Sequence, residues 1–264
     1  MRNCLIPSIV VLAAATALSP HLLAQTGAKS GAVKAIPDLS GSWDGAPDRD
    51  SRTICGEPAC RAITGVPLPR LVHNVEEPQM LPWAEQLYKS VRQGIKDPNA
   101  NSHEELNPAW SGCMPVGPAQ LMGGGFELQQ FPDVVLLLFA NDHSVRRIYM
   151  DGHGHPDNSA RTYMGHSVGK YEGDALVVDT VGINDKVWID TQGHPHTDAL
   201  RMTERFRRLD HNTLEILMTF DDPKTYVKPW TKRVTHELVP PGPELWDETE
   251  CEELLRIGTH FSQK

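Results

Sequence analysis

The stretch MTERFRRLDHNTLEILMTF, residues 202–220, decides the fold, because it reads as two strands joined by a tight turn. In its second half apolar and polar residues alternate, which is typical of a strand with one buried face. The apolar face carries Leu214, Ile216, Met218 and Phe220, and the polar face carries Thr213, Glu215 and Thr219. The Asp-His-Asn sequence at 210–212 favours a turn. This stretch therefore predicts a β-hairpin.

Short apolar runs separated by turn residues continue over residues 126–238, which is typical of an antiparallel meander. The predicted strands are 126–131, 134–140, 145–150, 163–171, 175–181, 202–209, 213–220 and 232–238. The sequence Leu39-Ser-Gly-Ser-Trp43 is similar to the Gly-x-Trp opening of lipocalin-type barrels. We therefore predict a mainly β protein whose meander closes into a lipocalin-like barrel or a sandwich.

Residues 25–110 are rich in proline and poor in apolar periodicity, which predicts an irregular wrap. One helix is expected within it, at 83–94, because Trp83, Leu87 and Val91 recur every four residues. Pro82 suits the start of this helix and Gly94 suits its end. We expect the wrap and a β-barrel-like domain at 111–264 to form one folded unit.

The first 24 residues read as a cleaved signal peptide. Arg2 precedes an apolar run from Leu5 to Leu18, and the small residue Ala24 follows. The run is shorter than the roughly 20 residues that span a bilayer, which favours cleavage over an anchor. Cys4 precedes the run instead of following it, which argues against lipidation. We therefore expect a periplasmic or secreted protein that has no transmembrane segment after cleavage.

The charge balance argues against some partners. Removing residues 1–24 takes away only Arg2 of the 25 Lys and Arg residues, so that 24 basic and 34 acidic residues remain, a net charge of −10. Such a chain does not suit nucleic acid or an anionic membrane surface as a partner. We expect a small-molecule ligand or substrate instead.

Four cysteines remain after cleavage, an even number in a chain sent to an oxidising compartment, which favours disulfides. Cys55 and Cys60 enclose only four residues, so a local loop is the simplest pairing, and Cys113 is left to pair with Cys251. A zinc site is the alternative, but Cys-x4-Cys without a second close pair is a weak zinc motif.

Gly165-His-Ser-Val-Gly169 matches the Gly-x-Ser-x-Gly motif of α/β-hydrolases, in which a strand turns into a helix and exposes the serine. Here a turn and a β-branched strand follow, at 172–181, and no helix is predicted. The alternative is that the glycines let the strand bend or bring two backbones close together, and we favour that alternative.

Histidines cluster in two short motifs, at 153–155 and 194–196. Since residues i and i+2 of an extended segment point the same way, each pair could present two imidazoles to one ion. His155, His194 and His196 are the predicted ligands of a divalent metal such as zinc. The alternative, which we favour, has no cofactor and uses histidine and aspartate as acid and base. Its predicted catalytic residues are His166, Asp179, His196 and Asp198.

Asp179 lies among apolar residues in the strand at 175–181, where an unpaired charge is costly, so it should have a partner. A two-residue turn at Gly173-Asp174 places Val168 opposite Asp179 and His166 one diagonal away. A three-residue turn places Ser167 opposite Asp179 instead. A structural aspartate that accepts bonds from loop amides is the further alternative.

Residues 182–201 connect two strands, and loops of this length in a compact domain are usually functional or disordered. Trp188, Ile189 and Leu200 can anchor this loop, so we expect it to be ordered and to cap one end of the barrel. Arginines can bind substrate carboxylates. The predicted substrate-binding residues are Arg147, Tyr163, Trp188, Glu204 and Arg205.

Five motifs resemble those of a family of exported bacterial proteins of uncharacterised function. They are RIYMDG (147–152), YMGHSVGKYEGDALVVDTV (163–181), GHPHTDAL (193–200), TERF (203–206) and DDPKTYVKPW (221–230). The resemblance covers roughly residues 110–255. It implies importance for His155, His166, Asp179, Asp185, His194, His196, Asp198 and Glu204, and it implies an arginine where this chain has His153. It implies no reaction.

Three functions follow as expectations. The first is an exported hydrolase or lyase acting on a small organic molecule, with His166 or His196 as acid or base and Asp179 or Asp198 orienting it. The second is a lipocalin-like binding protein without turnover, which predicts an apolar cavity. The third is an envelope interaction protein, which predicts an exposed apolar patch.

Overall fold

The structure is a computed structural model that describes residues 36–45, 73–75, 78–96, 109, 113–140, 144–157 and 160–239. All of them belong to one compact unit, Ala35–Lys264. The predicted signal peptide lies outside the described residues, as do Cys55, Cys60 and Cys251. Both disulfide pairings therefore stay predictions.

The described residues form a closed barrel of nine strands, which confirms the predicted mainly β fold. The strands of the chain are β1 (Gly41–Gly45), β2 (His73–Asn74), β3 (Phe126–Gln130), β4 (Val134–Phe139), β5 (Val145–Tyr149), β6 (His166–Glu172), β7 (Ala175–Val181), β8 (Arg201–Asp210), β9 (Thr213–Asp221) and β10 (Trp230–Val239). The ring closes where β1 pairs with both β3 and β10, and β2 adds to β10 outside the ring.

The eight predicted strands are all present, with ends shifted by a few residues at most. β1 and β2 are additional, since both lie in the segment that the sequence predicts as irregular. β1 contains two glycines and no β-branched residue, so its own sequence carries little strand preference. It is a strand because it fills the gap between β3 and β10.

One pair of strands departs from the predicted antiparallel meander. β5 and β6 are parallel, with Ile148 opposite Ser167 and Tyr149 opposite Val168. Two parallel neighbours cannot be joined by a tight turn. The connection between them, residues 150–165, is therefore long.

Alternate side chains of each strand point into the barrel, and large aromatic residues fill it. Trp43, Phe126, Phe139, Phe206, Phe220 and Trp230 are all buried. Leu137, Ile148, Val178, Met202 and Ile216 pack between them. Burial of this apolar surface is the main term that stabilises the barrel.

A cap covers the end of the barrel at which β7 ends and β8 begins. The predicted anchors of the 182–200 loop, Trp188, Ile189 and Leu200, are buried, and this loop is ordered as expected. Helix α1 (Pro82–Lys96) lies beside it, and the short helix α2 (Pro118–Leu121) precedes β3. Among the described residues, no helix is long and apolar enough to cross a membrane.

Helix α1 extends two residues beyond the predicted end at Gly94. Its inward face differs from the predicted apolar series, because Trp83 and Leu87 are 44% and 43% exposed whereas Ala84 is buried. The Trp83 indole donates to the carbonyl oxygen of Lys224 at 2.9 Å. Trp83 therefore binds the helix to the β9–β10 connection through its polar edge.

Candidate functional site

The β6–β7 hairpin positions the candidate site. Glu172 lies opposite Ala175, so the turn has two residues, and Gly173 has the positive φ of 69° that such a turn needs. Val168 then lies opposite Asp179. This is the predicted two-residue alternative, and it places His166 and Asp179 on the same face of the hairpin.

That face points out of the barrel, because the residues that alternate with it, Ser167 and Thr180, are buried inside. The 150–165 connection brings His155 against it. Nδ1 of His155 lies 2.9 Å from Nδ1 of His166, and Nε2 of His155 lies 3.1 Å from Oδ2 of Asp179. His155 therefore bridges the two residues that the sequence predicted as partners.

Arg201, the first residue of β8, binds the same carboxylate from the other side. Its Nε donates to Oδ1 of Asp179 at 2.8 Å, and its Nη2 donates to Oδ2 at 2.5 Å. Burial raises the pKa of Asp179, but the bonds from Arg201 and His155 more than offset this, so the pKa lies below its usual value. Asp179 is therefore an anion at neutral pH.

His166 is the outer end of this chain of contacts. The Tyr149 ring stacks on its imidazole at 5.2 Å between centroids, and the His153 ring lies 5.7 Å away. Partial burial lowers the pKa of His166, and the neighbouring His155 and His153 lower it further. Nε2 of His166 makes no hydrogen bond to the described part of the chain, so one ring nitrogen is available for chemistry.

We call this set the outer histidine cluster; its members are Tyr149, His153, His155, His166, Asp179 and Arg201. The side chains of His155 and Asp179 are 19% and 22% exposed. The cluster is therefore partly accessible to solvent. His153 is the most exposed of its histidines and pairs with Asp151.

A second polar set lies on the inner face of the same strands. We call it the inner polar cluster: Arg146, Ser167, Thr180 and Glu204. Arg146 binds both carboxylate oxygens of Glu204, one at 2.8 Å, and also the hydroxyls of Thr180 at 2.8 Å and Ser167 at 3.2 Å. None of the four side chains is accessible to solvent to any significant extent.

The inner polar cluster decides between the two interpretations of the Gly-x-Ser-x-Gly motif. Ser167 points into the barrel, bonded to Thr180 and Arg146, and β6 leads into a hairpin, not a helix. A Cβ at Gly165 would lie 2.7 Å from the carbonyl oxygen of Val181, and Gly165 has a φ of +66°. The glycines allow close approach of backbones, and Ser167 is not placed as a nucleophile.

The 182–200 loop carries a buried Asp–His pair. Nδ1 of His194 lies 2.9 Å from both oxygens of Asp190, and Lys232 lies 3.4 Å from one of them. Burial raises the pKa of Asp190, but the adjacent His194 and Lys232 more than offset this and hold it far below its usual range. Tyr88 of α1 stacks on the His194 ring at 4.5 Å. This pair is therefore buried within the cap, out of contact with solvent.

His196 and Asp198 are not brought together. Nδ1 of His196 lies 2.9 Å from the carbonyl oxygen of Thr197, and burial lowers the pKa of this histidine. Asp198 instead forms exposed ion pairs with Arg161 at 2.9 Å and Lys224 at 3.1 Å. The predicted orientation of His196 by Asp198 has no contact to support it.

The three predicted metal ligands also lie in different surroundings. His155 has both ring nitrogens in contact with His166 and Asp179, whereas His194 lies under Tyr88. Over the described ranges, no three histidine, cysteine or carboxylate side chains are arranged to hold a metal ion. Nε2 of His194 and Nε2 of His196 are buried and have no partner among the described residues.

The predicted substrate-binding residues are dispersed. Arg147 lies exposed on the outer face of β5, two residues from Tyr149, and Tyr163 packs partly buried against the core. Trp188 is an anchor of the cap, and Glu204 belongs to the inner polar cluster. Arg205 lies 3.6 Å from Glu172 on the surface.

Three members of the outer histidine cluster, Tyr149, His153 and Arg201, are not among the predicted catalytic, substrate-binding or metal-ligating residues. His153 lies in the histidine motif at 153–155 that the sequence does indicate. Arg201 lies two residues before Thr203, which pairs with Asp179, so the β7–β8 register could have identified it. Tyr149 could be found only from the parallel β5–β6 pair, for which the sequence has no signal.

Comparisons with protein-family models, curated proteins and solved structures gave no match.

Proposed function

We propose that this protein is an exported enzyme, a hydrolase or a lyase acting on a small organic molecule, with His166 as its acid or base. The observation that supports the proposal is the continuous contact chain from Arg201 through Asp179 and His155 to His166. An imidazole oriented by another group that is itself held by a carboxylate is a common arrangement for acid–base catalysis.

His166 has the features that a base at neutral pH needs. Its pKa is lowered, so the ring is largely uncharged at pH 7 and Nε2 can accept a proton. Tyr149 stacks on the ring and holds its plane, while His155 fixes its Nδ1 edge. Holding the base in one orientation removes an entropic cost from the reaction.

The position of the cluster also favours catalysis over storage of a ligand inside the barrel. A lipocalin-like binding protein needs a cavity, whereas here Trp43, Phe126, Phe206 and Trp230 occupy the interior. The outer histidine cluster, in contrast, is partly exposed. The filled interior therefore supports the enzyme over the lipocalin-like binding protein, and a finding of ligand binding without turnover would contradict the enzyme.

The proposed chemistry uses side chains only. The predicted zinc alternative stays a prediction, and elemental analysis of the purified protein tests it. Of the three predicted ligands, His194 and His196 each have an Nε2 atom with no partner among the described residues, whereas both ring nitrogens of His155 contact other side chains.

The test is a substrate screen that compares the unchanged protein with a variant in which one residue is replaced. The full chain is expressed in a bacterium and recovered from the periplasm, where loss of residues 1–24 is the result expected of export. Chromogenic esters, phosphates, glycosides and lactones are then assayed. His166→Ala should lower turnover of any active substrate by about 10²- to 10⁴-fold, the usual contribution of a positioned acid or base.

His211→Ala is the matched control, because His211 is an exposed histidine in the β8–β9 turn, away from the cluster. Its turnover should equal that of the unchanged protein. Equal turnover in His166→Ala and the unchanged protein would exclude His166 as the acid or base. Saturable binding of a compound without turnover would support the binding protein instead.

A further inference from the structure

The two contacts of His155 restrict where the protons of the outer histidine cluster reside. Two ring nitrogens 2.9 Å apart, Nδ1 of His155 and Nδ1 of His166, need one proton between them, because two lone pairs or two N–H groups would repel. The contact of Nε2 of His155 with the anionic Asp179 needs its proton on His155, because an ionised carboxylate only accepts.

When both rings are neutral, these two conditions leave one arrangement. His155 carries its proton on Nε2 and donates it to Asp179, so its Nδ1 is an acceptor. His166 must then carry its proton on Nδ1 and donate it to His155. The free Nε2 of His166 is left with a lone pair facing away from both partners, which makes His166 a base in the resting protein.

We propose that His155 and His166 form a two-histidine proton relay, in which proton uptake at Nε2 of His166 transfers the Nδ1 proton of His166 to Nδ1 of His155. This inference rests on the proposed function and deepens it. The substrate or a water molecule loses one proton, which bonds to Nε2 of His166. The N–H bond at Nδ1 of His166 breaks as one forms at Nδ1 of His155, so His166 stays neutral and His155 becomes the cation.

The charges around the two rings favour this final position. A cation on His155 contacts the Asp179 carboxylate directly, at 3.1 Å. A cation on His166 would lie between His153 and His155 and against the Tyr149 ring. Other charged groups nearby include Asp151, which is paired with His153, and Arg201, which lies opposite Asp221 of β9. The lowered pKa of His166 agrees with this, since burial and the two neighbouring histidines disfavour charge there.

The structure assigns to Arg201 the role of a positioning residue in this relay. It touches neither histidine, but its two bonds fix both oxygens of Asp179. Arg201 therefore holds in place the carboxylate that accepts the Nε2 proton of His155.

Nitrogen-15 NMR of histidine-labelled protein tests the relay without a substrate, because protonated and unprotonated ring nitrogens have well-separated shifts. At pH 8 we expect protons on Nε2 of His155 and Nδ1 of His166. On acidification, His155 should become the imidazolium while His166 stays neutral and its proton appears on Nε2. Direct conversion of His166 to an imidazolium, or an unprotonated Nε2 on His155 at pH 8, would overturn the relay.

Three variants separate the role of Arg201 from general disruption. Arg201→Gln removes the two guanidinium donors to Asp179, so at pH 8 the single Nε2 tautomer of His155 should give way to a mixture of the two ring tautomers. Arg201→Lys keeps one charged donor and should restore most of the single tautomer. Lys170→Gln, at an exposed position four residues from His166 along the same face of β6, should leave the tautomer pattern unchanged. An unchanged tautomer pattern in Arg201→Gln would remove Arg201 from the relay.

The NMR result and the substrate screen fail independently. A protein that shows the tautomer change but turns over no compound keeps the relay and loses the proposed enzyme. A protein whose turnover depends on His166, but in which His155 never becomes charged, keeps the enzyme and loses the relay.

Discussion

The inner polar cluster and the outer histidine cluster occupy neighbouring residues of the same hairpin but differ in how fully their atoms are bonded. Ser167 and Thr180 point inward and complete the set of partners around Arg146. His166 and Asp179, one residue away on each strand, point outward. Inside, the described partners occupy the polar groups; outside, one imidazole nitrogen is left over.

This difference shows how one hairpin serves two purposes. Charges buried in the barrel must be paired on every side, since an unpaired buried charge costs several kcal/mol. Water can solvate a partly exposed imidazole, so the outer cluster tolerates a free nitrogen. The inner set suits stability and specificity of the fold, and the outer set suits exchange of protons with a bound molecule.

The largest expected effect comes from breaking the inner pair. Glu204→Ala leaves Arg146 charged and unpaired in the barrel, which should lower the free energy of unfolding by about 3–5 kcal/mol. Urea unfolding followed by tryptophan fluorescence measures it. The matched control is Glu172→Ala, which breaks the surface contacts with Lys170 and Arg205 and should have a much smaller effect, because exposed ion pairs contribute little to stability. Similar losses in both variants would contradict the greater contribution expected of the buried Arg146–Glu204 pair.

An intermediate effect is expected from pH, at the buried His236 of β10. Burial lowers the pKa of His236 from 6.5 to about 4, while Nε2 contacts the carbonyl oxygen of Gly124 at 3.2 Å. Between pH 6.5 and 4 the unfolded chain therefore binds a proton that the folded chain does not. The free energy of unfolding should have its full value above pH 6.5 and should fall by about 3 kcal/mol as the pH is lowered toward 4.

Unfolding curves at a series of pH values test this, with His236→Gln as the variant. Whatever its cost at pH 8, His236→Gln should show a flatter pH dependence between pH 6.5 and 4 than the unchanged protein. His211→Gln, at an exposed position, should keep the full dependence. An equally steep fall in His236→Gln would assign the acid sensitivity to another group.

The smallest expected effect comes from the outer cluster. The pKa of Asp179 lies below its usual value when the chain is folded. Its contribution to stability is therefore present above the unfolded value, near pH 4, and is lost as the pH falls through the folded value. Because Asp179 is partly exposed, this contribution should be under about 1 kcal/mol. Asp179→Asn should remove this part of the fall in the free energy of unfolding at acid pH. If Asp179→Asn lowered the free energy of unfolding as much as Glu204→Ala does, Asp179 would be a structural residue.

Local sequence patterns predict much of the fold. Alternation along β9 and the turn sequences predicted the strands and the mainly β class. Two registers were predicted for the β6–β7 hairpin, and the one with a two-residue turn at Gly173-Asp174 is the register found. These features depend on residues close in the chain. The parallel β5–β6 pair depends on where a connection of about 16 residues returns, and no local preference encodes that.

The candidate site was predicted in part for the same reason. His166 and Asp179 share a hairpin, so spacing alone relates them. His155 was predicted as a metal ligand, and only the path of the 150–165 connection shows that it bridges the other two. The sequence also singled out Arg147, whereas Arg146 is the one that the pleat directs into the barrel to bind Glu204.

The closure of the ring has a consequence for the order in which the chain folds. β1 pairs with β10, so Ser42 lies opposite Val239, almost 200 residues later. The β6–β7 and β8–β9 hairpins need only two-residue turns, whereas the β1–β10 contact carries the largest entropic cost of loop closure. During synthesis, which begins at the N-terminus, β1 therefore cannot pair with β10 until nearly all of the protein has been made. The β6–β7 hairpin, with His166 and Asp179, can form well before the barrel shuts.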